Sequence, residues 1–69
     1  YSNNVDFAGR MVYNDKGEEV INFGKYKGRL AAEVLKADPG YYSWIMNGDF
    51  PLNTKKMFTE IRLRGFRSK

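Results

Sequence analysis

Sixty-nine residues make one domain with room for one thin core. The chain has no cysteine and no histidine, which excludes disulfide staples, the usual zinc, haem and iron–sulfur ligands, a thiol nucleophile and an imidazole base. Twelve Lys and Arg against eight Asp and Glu give a net charge of +4, which favours polyanions only if the cations are gathered on one surface.

No apolar run reaches the length of a membrane span and no signal peptide is expected, so the expected location is the cytoplasm. The chain opens on Tyr1 without an initiator methionine, which reads as a piece cut from a longer protein. Residues 1–9 are polar and without pattern, the expected end of a linker, with Val5 and Phe7 as candidates to dock on the core. Residues 10–13 and 18–23 are β-rich runs around Asn14-Asp15-Lys16-Gly17, whose residue types tolerate a tight turn; they predict a β-hairpin. Met11 and Tyr13 share one face, and the pattern leaves open which face is buried.

Residues 24–29 form a basic loop bracketed by Gly24 and Gly28. Leu30, Ala31, Val34 and Leu35 recur at helical spacing and predict a short helix over about 30–37. Asp38 reads as an N-cap and Pro39 as the first residue of a second helix, which carries Tyr41, Tyr42, Trp44, Ile45 and Met46 and stops at Asn47-Gly48. After a turn at Asp49-Phe50-Pro51-Leu52, Asn53 or Thr54 is the expected cap of a third helix running to about Arg64. Met57, Phe58 and Ile61 would form its buried face. Residues 10–65 therefore read as one α+β domain, a β-hairpin followed by three short helices, and residues 66–69 as a basic, frayed tail.

The eight carboxylates are scattered along these elements, and Glu18 and Glu19 point to opposite faces of a strand, so no metal-binding cluster is expected. No cofactor is expected in this chain, and a free-standing enzyme is the least favoured reading. The loop Gly24-Lys25-Tyr26-Lys27-Gly28-Arg29 can bring three cations and free amides to a phosphate, although its spacing is not that of a Walker loop. Most aromatics should lie in the core; Tyr26 and Tyr42 are the candidates to stack on an unpaired base. On the third helix, Lys55, Thr59 and Arg62 would lie opposite the apolar face with Lys56 at its side, a basic stripe. The candidate nucleic-acid-binding residues are thus Lys25, Tyr26, Lys27, Arg29, Tyr42, Lys55, Lys56 and Arg62.

A specific string runs through the middle of the chain. It is Phe23-Gly24-Lys25-Tyr26-Lys27-Gly28-Arg29, then Glu33-Val34, then Asp38-Pro39-Gly40-Tyr41-Tyr42-Ser43-Trp44-Ile45, then Asp49-Phe50-Pro51. It resembles the small C-terminal domain that follows the catalytic domain in some bacterial 3′–5′ exonucleases. These are the exonuclease X-like proteins and relatives of the epsilon proofreading subunit of DNA polymerase III, and the hairpin is similar to that of Bacteroides-type members. The resemblance implies a parent enzyme that hydrolyses DNA with divalent metal in a separate catalytic domain, whose acidic motifs are not in this sequence. It also implies a helper role for this chain in DNA replication or repair. The expected function is a non-catalytic, monomeric module that holds DNA, single-stranded or with frayed 3′ ends, near that catalytic domain. The alternative is a protein-docking module that tethers the exonuclease to a polymerase or another replication partner, through an apolar patch around Tyr42, Met46 and Phe50.

Overall fold

In the computed structural model, which describes residues 4–67, the expected architecture is present. Chain order is β1 (Met11–Tyr13), β2 (Glu19–Ile21), a 3-10 turn at Gly24–Tyr26, α1 (Ala31–Ala37), α2 (Pro39–Asn47) and α3 (Leu52–Arg67). Residues 1–3 of the expected linker end and Ser68-Lys69 of the expected tail lie outside the described residues.

The strands pair antiparallel with Met11 opposite Ile21, Val12 opposite Val20 and Tyr13 opposite Glu19. Their connection closes through Gly17 N–H to the Asn14 carbonyl at 2.9 Å, with Gly17 at φ 77°. The Asn14 side-chain oxygen accepts from the amides of Lys16 and Glu18, which is why an asparagine starts this turn. Met11 and Ile21 supply the buried face; Tyr13, on the same side of the strand, runs off the end and is exposed. Single bridges flank the pair, Asn4 with Val12 on one side and Leu30 with Val20 on the other.

Helices α1, α2 and α3 close over this face. The core is Met11, Ile21, Ala31, Val34, Leu35, Tyr41, Ile45, Phe58 and Ile61, and the largest of its fully buried side chains is Phe58. The buried stripe of α3 is Thr54, Phe58 and Ile61, at the spacing of one helix face, with half-buried Met57 at its margin. Arg64 of α3 pairs with Glu19 of β2.

Three expectations are corrected. First, residues 4–9 are tied into the domain rather than trailing from it. The buried carboxylate of Asp6 accepts from the amides of Arg10 (2.9 Å) and Met11 (3.2 Å) and from the Thr54 hydroxyl. Val5 packs on the core as expected, whereas Phe7 is 92% exposed. Secondly, α3 starts earlier and ends later than its sequence signals. Asn53 and Thr54 are inside the helix, and their side chains bind residues 6–7 instead of capping: Asn53 Oδ1 accepts from the Phe7 amide at 2.8 Å. Gly65 continues the helix, and so do Phe66 and Arg67, expected as frayed tail. Thirdly, Asp38 precedes α2 but makes no side-chain capping bond; its carboxylate is turned to Tyr26.

Asp6→Ala leaves two amides and a buried hydroxyl without their acceptor. At about 1–3 kcal/mol for a buried group left unsatisfied, with water recovering part of it, the expected loss is about 3 kcal/mol. A domain of this size holds only about 3–10 kcal/mol in all, so urea unfolding monitored by circular dichroism should show a large fall in midpoint. A midpoint unchanged from wild type would mean that the junction is not structural.

Candidate nucleic-acid interface

The loop between β2 and α1 is held from both ends. Gly28 N–H donates to the Ile21 carbonyl at 2.8 Å, Ile21 N–H to the Arg29 carbonyl at 2.9 Å, and Arg29 N–H to the Tyr26 carbonyl at 2.9 Å. Gly24 and Gly28 have φ of 66° and 90°, a left-handed backbone that side chains resist, so glycine is required at both positions. Nothing lies within 4 Å of where a side chain would start at either of them. The result is an open, shaped loop on which Lys25, Lys27 and Arg29 are all exposed.

Tyr26 anchors this loop to the helices. Its hydroxyl donates to Asp38 Oδ2 at 2.7 Å, and its ring meets Tyr41 edge-on at 4.9 Å between centroids. The Lys25 ammonium and the Arg29 guanidinium lie 5.1 and 6.0 Å from its ring centre. The hydrogen bond to Asp38 and, less strongly, desolvation and the Asp38 charge hold the Tyr26 phenol above the ordinary tyrosine value, against a smaller opposing pull from Arg29. Burial, then the neighbouring Tyr26 and Asp38, raises Tyr41 as well.

Next to Tyr41 stands Trp44. The two rings are stacked at 5.6 Å with 24° between their planes, yet Trp44 is 57% exposed while Tyr41 and Ile45 on the same helix face are buried. Phe23, Gly24, Lys25, Asp38, Gly40, Tyr41 and Trp44 line one open cleft. Neither Trp44 nor Arg10, whose guanidinium lies 5.4 Å from the centre of the Phe50 ring, was singled out as a site residue from the sequence. Helical periodicity groups Trp44 with Tyr41 and Ile45, and gives no sign that it alone stays in water.

The eight expected contact residues do not form one surface. Tyr42 is half-buried; its hydroxyl is hydrogen-bonded to Thr59 Oγ1 at 2.8 Å and the Arg62 guanidinium covers its ring at 4.4 Å. Arg62 also lies 5.3 Å from the exposed Phe66 ring. Thr59 and Arg62 therefore face α2 rather than lying on a free stripe opposite the core. A second groove, among whose lining residues are Leu35, Lys36, Tyr42, Ile61, Arg62 and Phe66, shares none of the residues that line the first. Lys56 is exposed and Lys55 half-buried on α3, and neither lines either depression. The apolar patch expected around Tyr42, Met46 and Phe50 is not an open one: all three are half-buried against the core. Among the described residues no three acidic side chains converge to hold a metal ion, and no helix is long and apolar enough to cross a membrane.

Residues 21–48, which contain the loop, α1 and α2, match the family described as Exodeoxyribonuclease X-like C-terminal. Over 43 residues the chain is 42% identical to Exodeoxyribonuclease 10 of Escherichia coli K12, and equally to that of Escherichia coli O6:H1. The matched stretch is 62% of this chain and 17% of each relative, so the chain corresponds to a small part of those enzymes. No solved structure matches.

The two raised phenols give an alkaline signature. The folded state holds these protons more tightly than the unfolded state, so their contribution to stability is complete below pH ~10 and is lost as pH rises through the raised folded-state values. Absorbance of tyrosinate in an alkaline titration should therefore lag in the folded chain relative to the urea-unfolded chain, and Tyr26→Phe should remove part of the lag. Coincident titrations would contradict the Tyr26–Asp38 bond.

Proposed function

Taking residues 21–48 as a C-terminal exonuclease X-like domain, we propose that this chain is the nucleic-acid-binding accessory module of a 3′–5′ exonuclease, supplying no catalytic group of its own. The observation that carries the reading is the loop at 24–29. Three exposed cations are displayed on a backbone fixed by hydrogen bonds and opened by two left-handed glycines. Phosphates are bound mainly through such cations, and binding of this kind weakens steeply with salt. Lys25, Lys27 and Arg29 hold the strand, while Tyr26 fixes the loop rather than stacking on a base. Lys55 and Lys56 add charge from α3. Retaining DNA in this way raises its local concentration at a catalytic domain elsewhere in the parent enzyme, whose chemistry requires divalent metal.

A second reading has its own observation. The groove between α1, α2 and α3, with Phe66 61% exposed at its rim, fits a protein partner such as a polymerase or another replication factor. Capture of that partner would resist nuclease treatment and fail with Phe66→Glu.

The decisive test is the affinity for a labelled oligonucleotide as salt is varied. The double variant Lys25→Ala/Lys27→Ala should bind more weakly, and the slope of log K against log salt should flatten by about 1.4 for a single strand. Unchanged affinity and slope would sink the nucleic-acid reading.

A further inference from the structure

We propose that Trp44 is the platform for one unpaired nucleobase, with the flanking phosphates held by Arg10 at one end and Lys25 at the other, which makes the module selective for single strands. The proposal rests on the nucleic-acid reading above and names the surface that adds selectivity to it.

Five aromatic rings run in contact across the face that joins the hairpin to α2. Phe23 meets Phe50 at 5.3 Å, Phe50 meets Trp44 at 5.6 Å, Trp44 meets Tyr41 at 5.6 Å and Tyr41 meets Tyr26 at 4.9 Å. Cations stand at both ends of this band. The Arg10 guanidinium is 5.5 Å from the centre of Phe23 and 5.4 Å from that of Phe50, while Lys25 and Arg29 stand over Tyr26. In the middle, Trp44 is the exposed ring, whereas Phe23, Tyr26 and Phe50 are half-buried and Tyr41 is buried.

That arrangement suits a single strand. Stacking against Tyr41 and the edge-on contact with Phe50 fix the indole while leaving 57% of the residue in water, so little side-chain freedom is lost when a base lands on it. The cleft beside it has two glycines in its lining. No atom lies within 4 Å of a Cβ placed at Gly24, and at Gly40 the nearest is Asp38 Oδ1 at 3.7 Å. Asp38 is the acidic residue in that lining, and its charge disfavours a phosphate there and leaves the position to the base. A base in a duplex is stacked on its neighbours and paired, so it cannot offer its flat face to an indole without being flipped out.

Trp44 is the chain's single tryptophan, so its emission reports directly on this surface. The test titrates the chain with a short oligothymidylate and, separately, with a blunt duplex. The expected result is quenching by the single strand and a preference for it over the duplex. Trp44→Leu should lose about 5- to 100-fold in affinity for the single strand with the salt slope unchanged. Arg10→Gln should flatten that slope by about 0.7, the loss of one phosphate contact. Trp44→Phe keeps an aromatic face and should retain much of the binding, which separates lost stacking from lost folding. If Trp44→Leu binds as wild type does while Lys25→Ala/Lys27→Ala still weakens binding, the platform is wrong and the electrostatic module stands. Equal affinity for strand and duplex would also overturn the platform alone. If neither nucleic acid binds, both readings fall together.

Discussion

The carboxylate of Asp6 sits where three pieces of chain meet: the segment before the hairpin, the start of β1, and α3. It accepts from the amides of Arg10 and Met11 and from the Thr54 hydroxyl, 48 residues away in sequence. A thin core of nine side chains leaves the helices little area by which to fix their angle to a three-residue strand. A buried anion with three donors fixes it by direction as well as by area, because hydrogen bonds to a charged group are strong and geometrically demanding. The Asn53 bond to the Phe7 amide repeats the same link one residue along. Arg10, whose guanidinium stands over Phe23 and Phe50, is held in register by its own amide at this junction.

A second polar link joins the basic loop to the helices. The Tyr26 hydroxyl on Asp38 ties the 3-10 turn to the short joint between α1 and α2. Asp38 thus serves tertiary structure with its side chain while its backbone carbonyl starts α2, accepting from the Tyr41 amide at 3.0 Å. Pro39 at the first position of α2 makes this division possible, since its fixed φ begins the helix without a capping side chain. The loop cations and the Trp44 surface therefore belong to one rigid neighbourhood, whereas Arg62 and Tyr42 belong to another.

Much of this fold was legible in the sequence, and the reasons are local. The Asn14–Gly17 turn, the proline that opens α2 and the spacing of Ala31, Val34 and Leu35 act through neighbours a few residues away, and each element formed where they pointed. What was not legible depended on distant partners. Asn53 and Thr54 carry ordinary cap chemistry, and only the arrival of residues 6–7 diverts it. Asp6 reads as one more polar linker residue until Thr54 is beside it. The candidate site divides in the same way. Lys25, Lys27 and Arg29 stand out in the sequence because two glycines and three cations fall within six residues, and the structure exposes all three on one loop. Tyr26 and Tyr42 read from the sequence as candidates to stack on a base, and in the structure Asp38 and Thr59 engage their hydroxyls. Trp44 was missed because exposure within an apolar helix face is decided by what packs above it.

The short hairpin has a further consequence for how the molecule behaves among copies of itself. A two-stranded ribbon ordinarily offers two rows of unpaired amides and carbonyls, each a template for another strand. Here the outer side of β1 meets Asn4, with the Val5 amide on the Met11 carbonyl, and the outer side of β2 meets Leu30, with the Ile21 amide on the Arg29 carbonyl. The same loop that displays the cations thus also seals a border of the sheet. A chain with a strand-rich start, no disulfide and a modest core is thereby denied the simplest route to cross-strand aggregation, and losing the shape of that loop would uncover that border.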